Sequence, residues 1–128
     1  MSNVIIRRLL RGTDLKEYII NLVNEEKINA GVIISSVGSL QEVNIRCSDL
    51  SVFHCKSKYE ILSLNGTISM DRIHLHISIA NDKGKAFGGH LLNGCIIDTT
   101  CELVIQVLEA KFTSEYDDAT GFNELKIK

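Results

Sequence analysis

The chain contains no proline, so no proline-rich linker divides it, and its 128 residues fit one domain. It also lacks long apolar runs. Stretches such as Val4-Ile5-Ile6 and Val32-Ile33-Ile34 stop at three residues, far short of a bilayer span. There is no surplus of positive charge: 14 Lys and Arg against 16 Asp and Glu leave −2. Proteins that bind duplex phosphates usually carry such a surplus, because each neutralised phosphate releases counterions. Here any surplus is local, in Arg7, Arg8 and Arg11. No pair among Cys47, Cys55, Cys95 and Cys101 has the two-residue spacing of a zinc knuckle or a thioredoxin motif. Most of them read as small buried hydrophobes rather than a disulfide framework. A nucleophile elbow, a Walker A loop, a dinucleotide fingerprint and an H-E-x-x-H pair are all absent. Arg7 and Arg8 follow the first apolar stretch, the reverse of a secretory signal, so we expect a cytoplasmic protein.

What is present is an ordinary globular balance, 45% hydrophobic and 23% charged, on a chain long enough for a real core. Val4–Leu10 reads as a strand that Gly12-Thr13 breaks. Asp14, with Glu17 three residues on, starts a helix in the manner of a capping box. Leu15, Tyr18, Ile19 and Leu22 then recur at helical spacing, which carries the helix to about Lys27. Downstream, residues 32–36, 42–46, 60–69, 72–80 and 101–108 are rich in Ile, Val, Leu and Ser and tend to alternate, as strands do. The last of these also fits a helix, but its β-branched content favours a strand. One early helix and a majority of strands without βαβ alternation predict an α+β fold: a largely antiparallel sheet with the helix packed on it.

Two turn signals matter. Asn65-Gly66 is either a hairpin turn or a glycine bulge inside one long strand. Asp82-Lys83-Gly84 suits a three-residue hairpin loop, with Gly84 in the left-handed position. With Lys83 at its centre, that loop places His76 opposite His90. His74, two residues back along its strand, projects from the same face. Cross-strand neighbours have Cβ atoms about 5 Å apart, so three imidazoles can converge on one ion at about 2.0–2.1 Å. Gly88-Gly89 would let another backbone, a ligand or a neighbouring chain approach beside His90. The competing reading is a hydrogen-bonded cluster or a stack at a subunit interface, and a one-residue slip would turn His90 to the opposite face. Three nitrogens with an open fourth position would make a catalytic or ligand-binding divalent site, zinc first, although nickel, copper and iron also accept imidazole.

The fourth histidine, His54, reads as a solvated loop residue. Glu60 and Glu102 sit in apolar strands, either facing solvent or acting as an acid or as a partner to the metal ligands. They are the candidates for a general base.

Several segments together resemble the PPC domain, conserved in plants and prokaryotes. They are Arg8-Leu9-x-x-Gly12-x-Asp14-Leu15, then Ala30-Gly31-x-Ile33-x-Ser35-x-Val37-Gly38-Ser39-Leu40, then Glu60-Ile61-Leu62-Ser63-Leu64-x-Gly66-Thr67-Ile68. His74-Leu75-His76, Asp82 with Gly84, Gly88-Gly89-His90-Leu91 and Thr120-Gly121-Phe122-x-Glu124-Leu125 continue the match in order. The resemblance implies a compact α+β domain over residues 1–128 that assembles as a homotrimer. It further implies a metal on His74, His76 and His90. Ser114 departs from it, because similar bacterial chains tend to carry arginine there.

The resemblance also brings a DNA-binding label. In plants that label leans on a separate AT-hook containing proline, which this chain lacks, so it does not transfer residue by residue. Two readings stay open. One is a regulatory or interaction module, binding protein partners or DNA through threefold-repeated Arg7-Arg8-Arg11 clusters. The other is a metal-dependent enzyme or small-molecule binder built on the open histidine site.

Overall fold

A computed structural model describes residues 3–128. The first strand, β1 (Val4–Leu10), alternates exposure until Leu9 enters the core. The Asp14 carboxylate then accepts from the Glu17 N–H at 3.2 Å and caps α1 (Leu15–Glu25), as the spacing predicted. The helix stops two residues earlier than expected, where Lys27 takes a positive φ and Ile28 N–H closes onto the Val23 carbonyl. Its buried stripe, Leu15, Ile19, Leu22 and Val23, packs into one core with sheet residues such as Leu40, Ile45, Leu75 and Ile105. Burying each such side chain is worth about 1.5–3 kcal/mol.

The organising strand is β2 (Gly31–Arg46), which joins the two segments expected at 32–36 and 42–46 into one. Register shifts at Ile33/Ser35, Gly38/Leu40 and Leu40/Glu42 bend it. The remaining strands are β3 (Val52–Cys55), β4 (Tyr59–Ile68), β5 (Ile73–Ala80), β6 (Ala86–Leu91), β7 (Ile96–Val107), β8 (Phe112–Asp117) and β9 (Phe122–Ile127). The main sheet runs β1-β7-β2-β4-β5-β6, entirely antiparallel, with β3 also on β2. The far end of β2 pairs with β6 as well, so β2, β4, β5 and β6 curl round and close on one another. β8 and β9 form a separate ribbon, tied down where Ser69 Oγ donates to the Phe112 carbonyl at 2.9 Å. This α+β fold with one helix and a largely antiparallel sheet is the predicted class.

Asn65-Gly66 is not a turn. Gly66 lies inside β4 at φ +154°, paired with Leu75, and the nearby bulge falls instead at Ile61/Ser63. A Cβ on Gly66 would lie 2.0 Å from the His74 carbonyl oxygen. The glycine therefore lets β4 press against β5 where the histidines stand. The loop after β5 is the expected hairpin: Gly84 has φ +79°, and the Asn81 side chain accepts from the N–H groups of Lys83 and Lys85.

Gly88 and Gly84 should respond very differently to alanine. At Gly88 a Cβ would meet the Ile77 carbonyl oxygen at 2.1 Å, whereas at Gly84 nothing lies within 4 Å. Gly84→Ala should cost about 1 kcal/mol for its left-handed backbone. Gly88→Ala should cost more than about 3 kcal/mol because β6 must move off β5. Urea unfolding of both variants checks the order.

Candidate metal centre

Every residue of the histidine cluster is placed by strand register. His76 pairs with His90 across β5 and β6, as the loop predicted. On either side Asn65 pairs with His76 and Arg46 with His90, so four strands contribute one cross-strand row. His74 and His76 share the side of β5 turned away from the core, since Leu75 and Ile77 between and after them are buried. The ring centroids form a near-equilateral triangle: 5.1 Å for His74–His76, 5.7 Å for His74–His90 and 5.6 Å for His76–His90. One potential ligand atom from each ring lies within 4.8 Å of the others. His74 and His76 are exposed and His90 is half-buried. Thus the triad assembled from sequence is one cluster in the fold.

Its surroundings favour neutral rings at His74 and His90. Burial lowers the His90 pKa to about 4, helped by the positive charges of Arg46 and Lys16. Burial also lowers that of His74, with His76 and Arg72 adding to it while Glu124 opposes. His90 Nδ1 is buried with no hydrogen-bond partner among the described residues. A neutral ring with a spare nitrogen is the form that binds a metal.

Other sequence candidates lie elsewhere. Glu60 pairs with Ala80, four residues along β5 from His76, or about 13 Å of strand. Glu102 pairs with Arg8 and with Val37, and both glutamates face solvent. Neither reaches the histidines. His54 lies on β3 rather than in a loop, exposed and 2.7 Å from Glu42. The arginines do not share one surface: Arg7 and Arg8 are consecutive on β1 and point to opposite faces. Arg7 bonds Glu26 at 3.2 Å, Arg8 bonds the Thr100 hydroxyl at 3.0 Å, and Arg11 sits 3.4 Å from Asp98. Cys47, Cys55, Cys95 and Cys101 are all free thiols. Cys95 and Cys101 are buried as expected, and burial pushes the Cys95 thiol up to about 11.

The groove beside the triad has no signature in composition or spacing. Arg46, Arg72, Ser114 and Glu124 join His74 and His90 around a cavity of about 480 Å³. Only the Phe122-x-Glu124 end of the resemblance and the Ser114 departure pointed there.

The sheet, single helix and surface histidine row define a small α+β domain of distinctive topology. The chain belongs to the Plants and Prokaryotes Conserved (PCC) domain family, which it matches over residues 1–109. It is 40% identical over 123 residues to a part of the bifunctional protein GlmU of a Synechococcus strain. That alignment takes in 94% of this chain but spans only 20% of the relative. A hypothetical protein of Salmonella has the same fold at 29% identity and a TM-score of 0.95, covering 100% of this chain and 94% of its own. A metal-containing protein from Archaeoglobus fulgidus matches at 26% identity and a TM-score of 0.84, covering 96% and 92%. A candidate DNA-binding protein from Bacteroides thetaiotaomicron shares the fold at 23% identity and a TM-score of 0.87, covering 98% and 93%. Among the described residues no helix is long and apolar enough to cross a membrane.

A pH dependence follows from His90. In the unfolded chain it takes a proton near the ordinary 6.5, but in the fold only near 4. The stability gained from folding it neutral is therefore complete above about 6.5 and lost as pH falls toward 4. Metal-free protein should unfold at lower urea concentration at pH 5 than at pH 7, and His90→Gln should reduce that difference. An unchanged difference would assign the effect to other groups.

Proposed function

We propose that this PCC-domain protein carries one divalent metal, zinc first, on His74, His76 and His90, with a coordination position left open to a small-molecule ligand. The observation that carries this reading is the triangle of three rings at 5.1–5.7 Å on the solvent side of one hairpin. The buried, unpartnered His90 Nδ1 fits it, because an ion bound at that nitrogen would supply the missing partner. The metal-containing Archaeoglobus relative agrees with it. When bound, such an ion acts as a Lewis acid and lowers the pKa of its water. The protein's own share is to hold the three rings in place and to flank them with Arg46, Arg72 and Glu124. Glu124 replaces Glu60 and Glu102 as the carboxylate positioned to accept a proton there.

We further place the chain in the cytoplasm, where four free cysteines are at home, as a homotrimeric module of residues 1–128. Ile6, Leu10, Ile34, Val37 and Leu62 are each more than half exposed, and the subunit contacts of a trimer would cover such side chains. The partial GlmU match fits a unit that also works inside larger chains.

Elemental analysis of tag-free protein should return about one zinc per chain at pH 7.5, lost only as pH falls toward about 4, where His90 takes a proton. His76→Ala and His90→Ala should both remove it. Metal content unchanged in His90→Ala would defeat the assignment.

A weaker second reading is DNA binding, favoured by Arg11, whose side chain is 73% exposed. Any gel shift should then weaken steeply with salt and vanish on replacing Arg7, Arg8 and Arg11 with alanine. An unchanged shift would remove that reading.

A further inference from the structure

The groove beside the histidines has its own unmet chemistry. Arg46 enters it from the end of β2 and Arg72 from the residue before β5. Among the described residues neither makes an ion pair, in contrast to Arg7 with Glu26 and Arg11 with Asp98. The Arg72 guanidinium makes only long contacts among the described residues, Nη1 to Ser114 Oγ at 3.5 Å and Nη2 to His74 Nδ1 at 3.4 Å. Its Nε is buried and has no partner among them. A guanidinium so weakly engaged keeps donors for a ligand acceptor. Arg46 donates to the Cys47 carbonyl at 3.3 Å, which leaves most of its donors free.

The geometry points to a carboxylate-binding subsite here: Arg72, with Arg46, holds the acid group of a small organic acid beside the histidine triad. Planar guanidinium groups, of which Arg72 and Arg46 both line the groove, match the two oxygens of a carboxylate. Ser114 adds a small neutral side chain to the groove beside Arg72. Glu124, which also lines the groove, favours a singly charged acid over a doubly charged phosphate, which it would repel more strongly. It also offers an acceptor to a hydroxyl or amine on the same ligand. A cavity of about 480 Å³ suits a small metabolite rather than a polymer.

This deepens the metal reading, yet the subsite rests on the arginines and shares only His74 and His90 with it. His76 separates the two, because it belongs to the triad but does not line the groove. The experiment uses glycolate, a hydroxy monocarboxylate, as the probe and inorganic phosphate at pH 8, where it is mostly doubly charged, as the comparison, titrated calorimetrically into zinc-free full-length protein. Glycolate should bind wild type more tightly than phosphate. Arg72→Gln and Arg46→Gln should each weaken it about tenfold or more. Arg72→Lys, which keeps the charge but not the fork, should fall between wild type and Arg72→Gln. His76→Ala should bind glycolate as wild type does while holding no zinc, so the subsite and the metal centre can fail separately. The inference is overturned if glycolate does not bind, or binds folded Arg72→Gln as well as wild type. Phosphate binding more tightly than glycolate would overturn the carboxylate assignment.

Discussion

The register between β5 and β6 is the constraint on which the site depends. The Asn81–Lys85 loop sets it, with Gly84 in a left-handed conformation and the Asn81 side chain tying two backbone N–H groups. Because side chains alternate along a strand, a one-residue slip would send His90 into the interior and bring Leu91, now fully buried, to the surface. Register and core packing therefore protect the same arrangement. Glycines complete it: Gly66, Gly88 and Gly89 stand where a Cβ would collide with backbone oxygens of neighbouring strands. The rings are thus held by backbone that has little freedom to shift, which suits a site that must meet an ion without reorganising.

The electrostatics around that row are one-sided. Arg46 and Arg72 lie next to His74 and His90, and only Glu124 among the groove residues opposes them. Partial burial and positive neighbours both disfavour protonated imidazole at His74 and His90, so those two rings stay available as ligands at neutral pH. The same field disfavours a bare cation in the groove and favours an anion. Metal and organic acid would then assist each other, the acid offsetting charge that the ion adds. This describes a ligand-binding centre more readily than a nucleic-acid surface, since Arg7, Arg8 and Arg11 are split between two faces and already engaged.

The hairpin and its triad were legible because they depend on local rules: a glycine in a three-residue loop, and parity on either side of it. The helix start was legible for a similar reason, a cap and a helical period. Long-range closure was not. β2 read as two strands because its bulges interrupt alternation around Ile34 and Gln41. Arg46 and His90 become neighbours only because the end of β2 turns back onto β6, and no sequence spacing announces that pairing. Glu124 and Ser114 arrive on a ribbon from the far end of the chain. Glu60 and Glu102 drew attention as carboxylates in apolar strands, but alternation puts both on the solvent side. His54 looked like loop because β3 is only four residues long and sits in the polar stretch Ser51 to Lys58, yet it pairs with β2 and bonds Glu42.

X-ray absorption at the zinc edge of zinc-loaded protein tests the central claim most directly, since it reads the ligands rather than the metal content. The account predicts three imidazole nitrogens at about 2.0–2.1 Å and one further light-atom ligand. A sulfur shell near about 2.3 Å, or fewer than three imidazoles, would contradict it.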